Sequence, residues 1–416
     1  MNVRRSAAVL AAVSVLAAAS PALAASPSPS PSTVLPSGLY GDADPKFDGV
    51  WRQSLALLAQ RTVSVTPAAK AVDWLAGQQC ADGAFAAFRA DPGRACDAKV
   101  PVDTNSTAAA VQALTATGGH DSAVGKAVTW LKSVQNKDGG WGYTPGGASD
   151  ANSTGVVVGA LAAAGERPAA VVKDGRSPYD ALLALALPCS GDDAGAFAYQ
   201  PDKKGALTAN ADATAAAVLG VLGAGLAAKA AGAGDASSGA PGTSCAATGK
   251  PTPEQAAADG AAYLTRAVTE DGHLTSALAG APEQPDYGNT ADAVVALAAQ
   301  GGPDPAAKPL AWLEKNAAAW AKQSGPAAYA QLIFAAHATG TDPRDFGGTD
   351  LVRALGATGP APQAAGQATS GDGSDASDRK DDGGSGTSVW WIIGTGLVAG
   401  VGIGFLLSGR RKQQHL

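Results

Sequence analysis

The sequence predicts an all-α body, an α6/α6 toroid with inner and outer rings of helices, plus a C-terminal single transmembrane helix. Three observations carry this. Segments ending in an Asp-Gly turn and an aromatic residue recur along the chain, helices opened by clusters of Asp, Asn and Thr alternate with them, and one long uncharged run lies near the C-terminus. The 416 residues suffice for one large body with its own core. Lys and Arg number 30 against 36 Asp and Glu, a net charge of −6 with no basic stripe inside the body, so nucleic acid is excluded as a partner. A mean hydropathy of +0.02 excludes a multipass transporter.

Taken from the N-terminus, Arg4 and Arg5 precede an apolar run that ends in Ala22-Leu23-Ala24, so residues 1–25 read as a signal peptide. Residues 26–37 are a Ser/Pro-rich spacer of extended, polyproline-like character. The body covers 38–356. Ala71 to Phe85 aligns without gaps on Ala127 to Trp141, each running from a Trp-Leu helix through Gln (Gln79, Gln135) to Asp-Gly and an aromatic. Tyr263 to Leu274 is a third, weaker copy, Asp193 to Phe197 keeps only the turn, and Trp312-Leu313 only the helix. Glycine fits the end of such a helix because it takes the left-handed conformation at no steric cost.

The interleaved series opens with Asp103-Thr-Asn105-Ser-Thr107, Asp150-Ala-Asn152-Ser-Thr154, Asn210-Ala-Asp212-Ala-Thr214 and Asp286-Tyr-Gly-Asn289-Thr, with Asp292 following in the fourth. Each leads into an Ala/Val/Leu-rich segment that is apolar all round and is therefore expected to be buried. Asp48 to Gln60 and Pro326 to Thr339 complete six such inner helices, while the amphipathic Trp-Leu helices should lie outside. Inner helices that run parallel gather their N-termini at one mouth, where helix dipoles favour ligand acceptors or anions. Capping needs one Asp, Asn or Thr per helix, and these openings supply two or three. The twelve residues from Asp103 to Asp292 named above are therefore the candidate ligand-binding mouth, with Asp103 and Asp150 expected to precede the capping residues. Asp42, Asp44 and Asp48 form a minor candidate for Ca²⁺.

Four cysteines in an exported chain suggest two disulfides, and the loops favour Cys80–Cys96 and Cys189–Cys245, the second tying into a Gly/Ser/Pro-rich insertion at 229–253. No CxxC pattern points to a metal. Residues 357–388 carry no large apolar group and are expected to be a disordered stalk. The uncharged run 389–407 is long enough, at about 1.5 Å per residue, to span a hydrocarbon core of about 30 Å. Arg410, Arg411 and Lys412 in the tail 408–416 place that tail in the cytoplasm and the body outside, a single-pass protein of the cell membrane. Gly396, Gly400 and Gly404 form a small-residue face for a membrane-protein partner.

The Gln-x-x-Asp-Gly-x-Trp/Phe turns, clearest from Gln135 to Trp141, together with the polar helix openings, resemble the repeats of the α/α toroid superfamily: squalene and terpene cyclases, protein prenyltransferase β subunits, and cobalamin carriers of the intrinsic factor and transcobalamin type. The resemblance covers 38–356 and implies fold more than function. Triterpene cyclases use a D-x-D-D acid, which this chain lacks, and prenyltransferases use zinc held by Asp, Cys and His, whereas His120, His273 and His337 pair with no cysteine at ligand spacing. The cobalamin carriers then give the expected function: a membrane-anchored surface protein that captures a corrinoid or similar small molecule for a membrane transporter. The enzyme alternative is a terpenoid-type cyclase or a polysaccharide-acting enzyme, distinguished by a buried acid pair, and the third reading is a structural or adhesion scaffold.

Overall fold

The computed structural model describes residues 35–97, 99–232, 245, 249–276 and 283–363. The signal peptide, most of the spacer, most of the stalk, and the 389–407 run with its three glycines lie outside the described residues. No helix among those described is long and apolar enough to cross a membrane.

Thirteen α-helices make up the described body: α1 Gly49–Thr62, α2 Ala69–Gly77, α3 Thr104–Thr117, α4 Asp121–Ser133, α5 Ala151–Ala163, α6 Pro178–Leu183, α7 Ala211–Val221, α8 Pro253–Ala267, α9 Tyr287–Gly301, α10 Pro303–Asn316, α11 Ala318–Ser324, α12 Pro326–Thr339 and α13 Leu351–Gly356. Two short antiparallel ribbons accompany them, β1 Phe85–Ala86 with β2 Val102–Asp103, and β3 Leu274–Thr275 with β4 Pro285–Asp286. The segments that are apolar all round, α1, α3, α5, α7, α9 and α12, are buried along most of their length. Each packs on the next in this order, and α12 packs on α1. The amphipathic α2, α4, α8 and α10 and the short α6 and α13 each pack against their preceding inner helix and bury one side only. Six inner–outer pairs result.

The Asp-Gly turns couple one pair to the next. Gly83, Gly139 and Gly195 have φ of +100°, +90° and +79°, and a Cβ on them would lie 2.3, 2.2 and 2.6 Å from the carbonyl oxygens of Lys126, Ser177 and Asp259 at the following outer helix. Glycine is thus required twice over, by dihedral and by space. The repeat glutamine completes the joint: Gln79 Nε2 donates to the Gly83 and Ala123 carbonyls at 3.1 and 2.8 Å, and Gln135 Nε2 to Gly139 and Val171 at 2.8 and 3.1 Å. The aromatic residue turns inward, with Phe85, Trp141 and Phe197 fully buried and Trp141 Nε1 donating to Leu131 O at 2.7 Å.

Both disulfides form, Cys80–Cys96 and Cys189–Cys245. The packed body runs past Gly356. Gly41 N donates to Thr358 O at 2.8 Å, Tyr40 Oη to Pro360 O at 2.9 Å, and Gln363 N to Thr66 O at 2.9 Å, so residues 357–363 clasp the segment ahead of α1 and the connection from α1 to α2. Arg52, buried in α1, secures that segment through Asp48 at 2.6 Å and the carbonyls of Tyr40 and Ala43. Asp48 is therefore engaged by an arginine, and the trio Asp42, Asp44 and Asp48 is not among the described groups able to gather on one ion.

Candidate functional site

Each polar opening divides its residues by position. The first residue is the cap: Asp103, Asp150, Asn210 and Asp286 accept the backbone N–H of Ser106, Ser153, Ala213 and Asn289 at 2.6 to 3.0 Å. Asp103 and Asp150 are thus themselves the N-caps rather than the residues before them. The threonine four residues later is a clamp. Thr107, Thr154, Thr214 and Thr290 accept the backbone N–H of Phe85, Trp141, Phe197 and Leu274 at 2.9 to 3.1 Å, fastening each Asp-Gly turn to an inner helix.

The remaining members converge. Asn152 Nδ2 on α5 donates to Asp212 Oδ2 on α7 at 2.5 Å. Gln331 Nε2 on α12 donates to both oxygens of Asp292 on α9, at 3.2 and 3.1 Å. Asp212 in turn feels the charges of Asp292, Asp286 and Asp150, so openings from three inner helices share one region. Burial first, then repulsion by Asp292, pushes Asp212 up to about 7. Burial first, opposed by Gln331 and reinforced by Asp286, pushes Asp292 up to about 7. Asp103 and Asp150 rise to about 6 through burial, moderated by the N–H groups they cap. Among the described residues, no lysine or arginine is a leading charge acting on these four. Asp212 and Asp292 keep some accessible surface, and burial is still the leading cause of the rise of each.

Several acceptors here have no donor: Asp103 Oδ2, Asn105 Oδ1, Asn152 Oδ1 and Asn289 Oδ1. The tyrosines Tyr143, Tyr199 and Tyr287 stand at the same openings. Tyr143 is raised to about 12 by burial and the Asp103 charge, and Tyr199 is raised by burial and by Asp150 and Asp212. The Tyr287 ring lies 5.0 Å from Trp312 and 5.5 Å from Trp320, the latter stacked at 15°. Sequence reasoning passed over these aromatics and Gln331. The available signal was the repeated aromatic-x-Tyr of Trp141-Gly-Tyr143 and Phe197-Ala-Tyr199. The two described clefts lie elsewhere: one of about 310 Å³ beside Cys189, Phe197 and Lys250, and one of about 250 Å³ beside Lys132 and Glu166. Neither touches the acids.

The fold is thus a helical repeat body whose polar openings hold four carboxylic acids raised toward neutral pH by burial. Residues 102–175 match the squalene-hopene cyclase C-terminal domain family, so this stretch, which holds the Gln135 to Trp141 turn, is a repeat of the α/α toroid prenyltransferase/cyclase superfamily. Among solved structures the chain is similar to ent-copalyl diphosphate synthase from Streptomyces platensis, at 17% identity and a TM-score of 0.43, covering 70% of this chain and 50% of that one. It is similar to a sugar epimerase from a ruminal bacterium at 14% identity and a TM-score of 0.40, covering 67% and 80%. A third likeness, to a protein from Actinoplanes, has 19% identity and a TM-score of 0.28, covering 62% and 80%. The chain thus spans half the length of the synthase it matches. No curated protein matches the sequence.

Proposed function

We propose that the chain is an acid–base enzyme built on a closed α6/α6 toroid, with Asp212 and Asp292 at the mouth as its proton-carrying pair. The observation behind this reading is the pair itself: two carboxyl groups on neighbouring inner helices, each held by one amide, repelling each other with no lysine or arginine among the described residues a leading charge on either. Two such groups do not ionise together readily, so one keeps a proton to donate while the other, once ionised, can accept one. The match to a cyclase family favours a reaction begun by protonating a neutral substrate, the class that contains terpenoid-type cyclases, and a polysaccharide-acting enzyme needs the same acid pair. Corrinoid capture draws no support from the family match. Two disulfides suit an oxidising compartment.

The test is turnover of isoprenoid and carbohydrate substrates by the full chain, followed by mass spectrometry across pH. Activity should fall as pH rises through about 7, the value to which both acids are raised. Asp212→Asn and Asp292→Asn should each lower it by roughly 10²-fold or more, the usual contribution of a general acid. Turnover untouched by both substitutions would assign the acids to structure.

A further inference from the structure

We propose that the acid pair is asymmetric: Asp292 ionises first and accepts a proton in the reaction, Asp212 keeps its proton on Oδ1 and donates it, and Asn152 and Gln331 are the positioning residues that set this order. The proposal rests on the reading of Asp212 and Asp292 as a proton-carrying pair. Its first ground is the hydrogen-bond pattern. Gln331 Nε2 straddles Asp292, at 3.2 and 3.1 Å from its two oxygens, so a proton on either oxygen weakens part of that contact and the amide favours the carboxylate. Asn152 Nδ2 engages Asp212 through Oδ2 alone, at 2.5 Å. With Oδ2 accepting, Oδ1 can carry a proton while the bond stays in place. Both amides are held by their surroundings. Asn152 is 8% exposed, and a Cβ on Gly288, one turn ahead of Asp292 on α9, would lie 3.5 and 3.6 Å from the Gln331 amide atoms.

The second ground is the distribution of negative charge. Asp212 on α7 faces Asp150 and Asn152 on α5, Asp286 and Asp292 on α9, and the Tyr199 phenol from the turn ahead of α7. Asp292 faces Asp286 on its own helix, Asp212 on α7 and Gln331 on α12. Three carboxylates thus act on Asp212, Asp292 foremost among them, and two on Asp292. The group crowded by more negative charge is the later to ionise. Between the two ionisations the pair holds one proton, and it resides on Asp212. In a turnover the Asp212 O–H bond breaks as that hydrogen bonds to the substrate, and a second hydrogen leaves the substrate for Asp292. The pair then carries its one proton on Asp292, and transfer through water back to Asp212 restores the starting state.

The experiment is a carboxyl-carbon NMR titration of the full chain labelled at the aspartate side chains, with the two signals assigned through the Asp→Asn variants and the fold of each variant checked by its melting temperature. Asp292→Asn removes the leading repulsion and should lower the Asp212 midpoint by about one pH unit or more. Asp212→Asn should leave the Asp292 midpoint nearly in place, because Asp212 is still uncharged when Asp292 ionises. Gln331→Met, close in size, should raise the Asp292 midpoint and carry the low-pH limb of the activity profile toward neutral. Asn152→Ala should raise the Asp212 midpoint and carry the high-pH limb upward. The opposite asymmetry, midpoints that ignore each other, or midpoints unmoved by both amide substitutions overturns the assignment. The opposite asymmetry with turnover lost in both Asp→Asn variants overturns the assignment alone and leaves the acid pair. The expected asymmetry with turnover untouched by both variants overturns the acid-pair reading and the donor and acceptor roles with it.

Discussion

Asp103 has one oxygen bound to the Ser106 N–H and one with no partner, and the contrast with Asn105 beside it gives a first expectation. Asp103→Ala removes a cap and should cost about 1 kcal/mol. Asn105→Ala removes a buried acceptor already unsatisfied, and should leave stability within roughly 0.5 kcal/mol or raise it. Chemical denaturation of the two variants checks the difference, and equal losses would mean that Asn105 is part of the scaffold. The raised acids make a second expectation. Asp212 and Asp292, at about 7, and Asp103 and Asp150, at about 6, hold protons when folded that the unfolded chain has released by about pH 4 to 5. Between those limits the folded state binds more protons, so stability falls as pH rises, by up to about 1.4 kcal/mol per group per unit. The melting temperature should therefore climb as pH is lowered from about 7.5 to about 5, and an Asp212→Asn, Asp292→Asn double variant should flatten that slope. A melting temperature that drops over the same range would contradict the raised values. The polar openings were legible in the sequence, but their division of labour was not. Thr107 meets Phe85 N across 22 residues, and no local pattern distinguishes such a clamp from a ligand contact.

The unit of construction is a helix, a glutamine, an Asp-Gly turn and an inward aromatic, and its signal is local, which is why the repeats could be read directly. Pro326 to Thr339 is delimited by Gly325 and Gly340, both at positive φ, which punctuate an Ala-rich, mostly apolar run. What the pattern did not disclose is the partner of each turn glycine, since the carbonyl it approaches belongs to another repeat. Gly139→Ala should accordingly destabilise the body by about 2 to 3 kcal/mol, combining left-handed strain with a clash at Ser177 O. Gly119→Ala, with φ of +76° and nothing within 4 Å of a new Cβ, should cost only about 1 kcal/mol. Urea unfolding separates the two, and similar losses would mean that strain alone sets the requirement. The tyrosines at the openings escaped notice for a related reason: with aromatics at 5% of the chain, their importance lies in being gathered, and gathering is tertiary.

Across the described body, the succession from α1 through α12 was predictable from six apolar segments, but the 357–363 clasp was not, because its residues carry no large apolar side chains and interact through their backbone. Reducing Cys80–Cys96, which closes a separation of 16 residues, should lower stability by about 3 kcal/mol, measured as a shift in denaturation midpoint between oxidised and reduced chain. Tyr40→Phe breaks the bonds to Pro360 O and from Gln60 Nε2. It should speed amide hydrogen exchange at residues 357–363 while leaving that of α5 and α7 unchanged, and uniform protection would relieve Tyr40 of any role in the clasp. That clasp also means that the two ends of the described body emerge side by side, with Gly41 bonded to Thr358. A described body whose two ends already meet tolerates being cut elsewhere. Joining them through a short linker and opening new termini in an exposed loop such as 202–205 would yield a circular permutant with the same inner helices in the same neighbourhoods, and the mouth would keep every residue it now has.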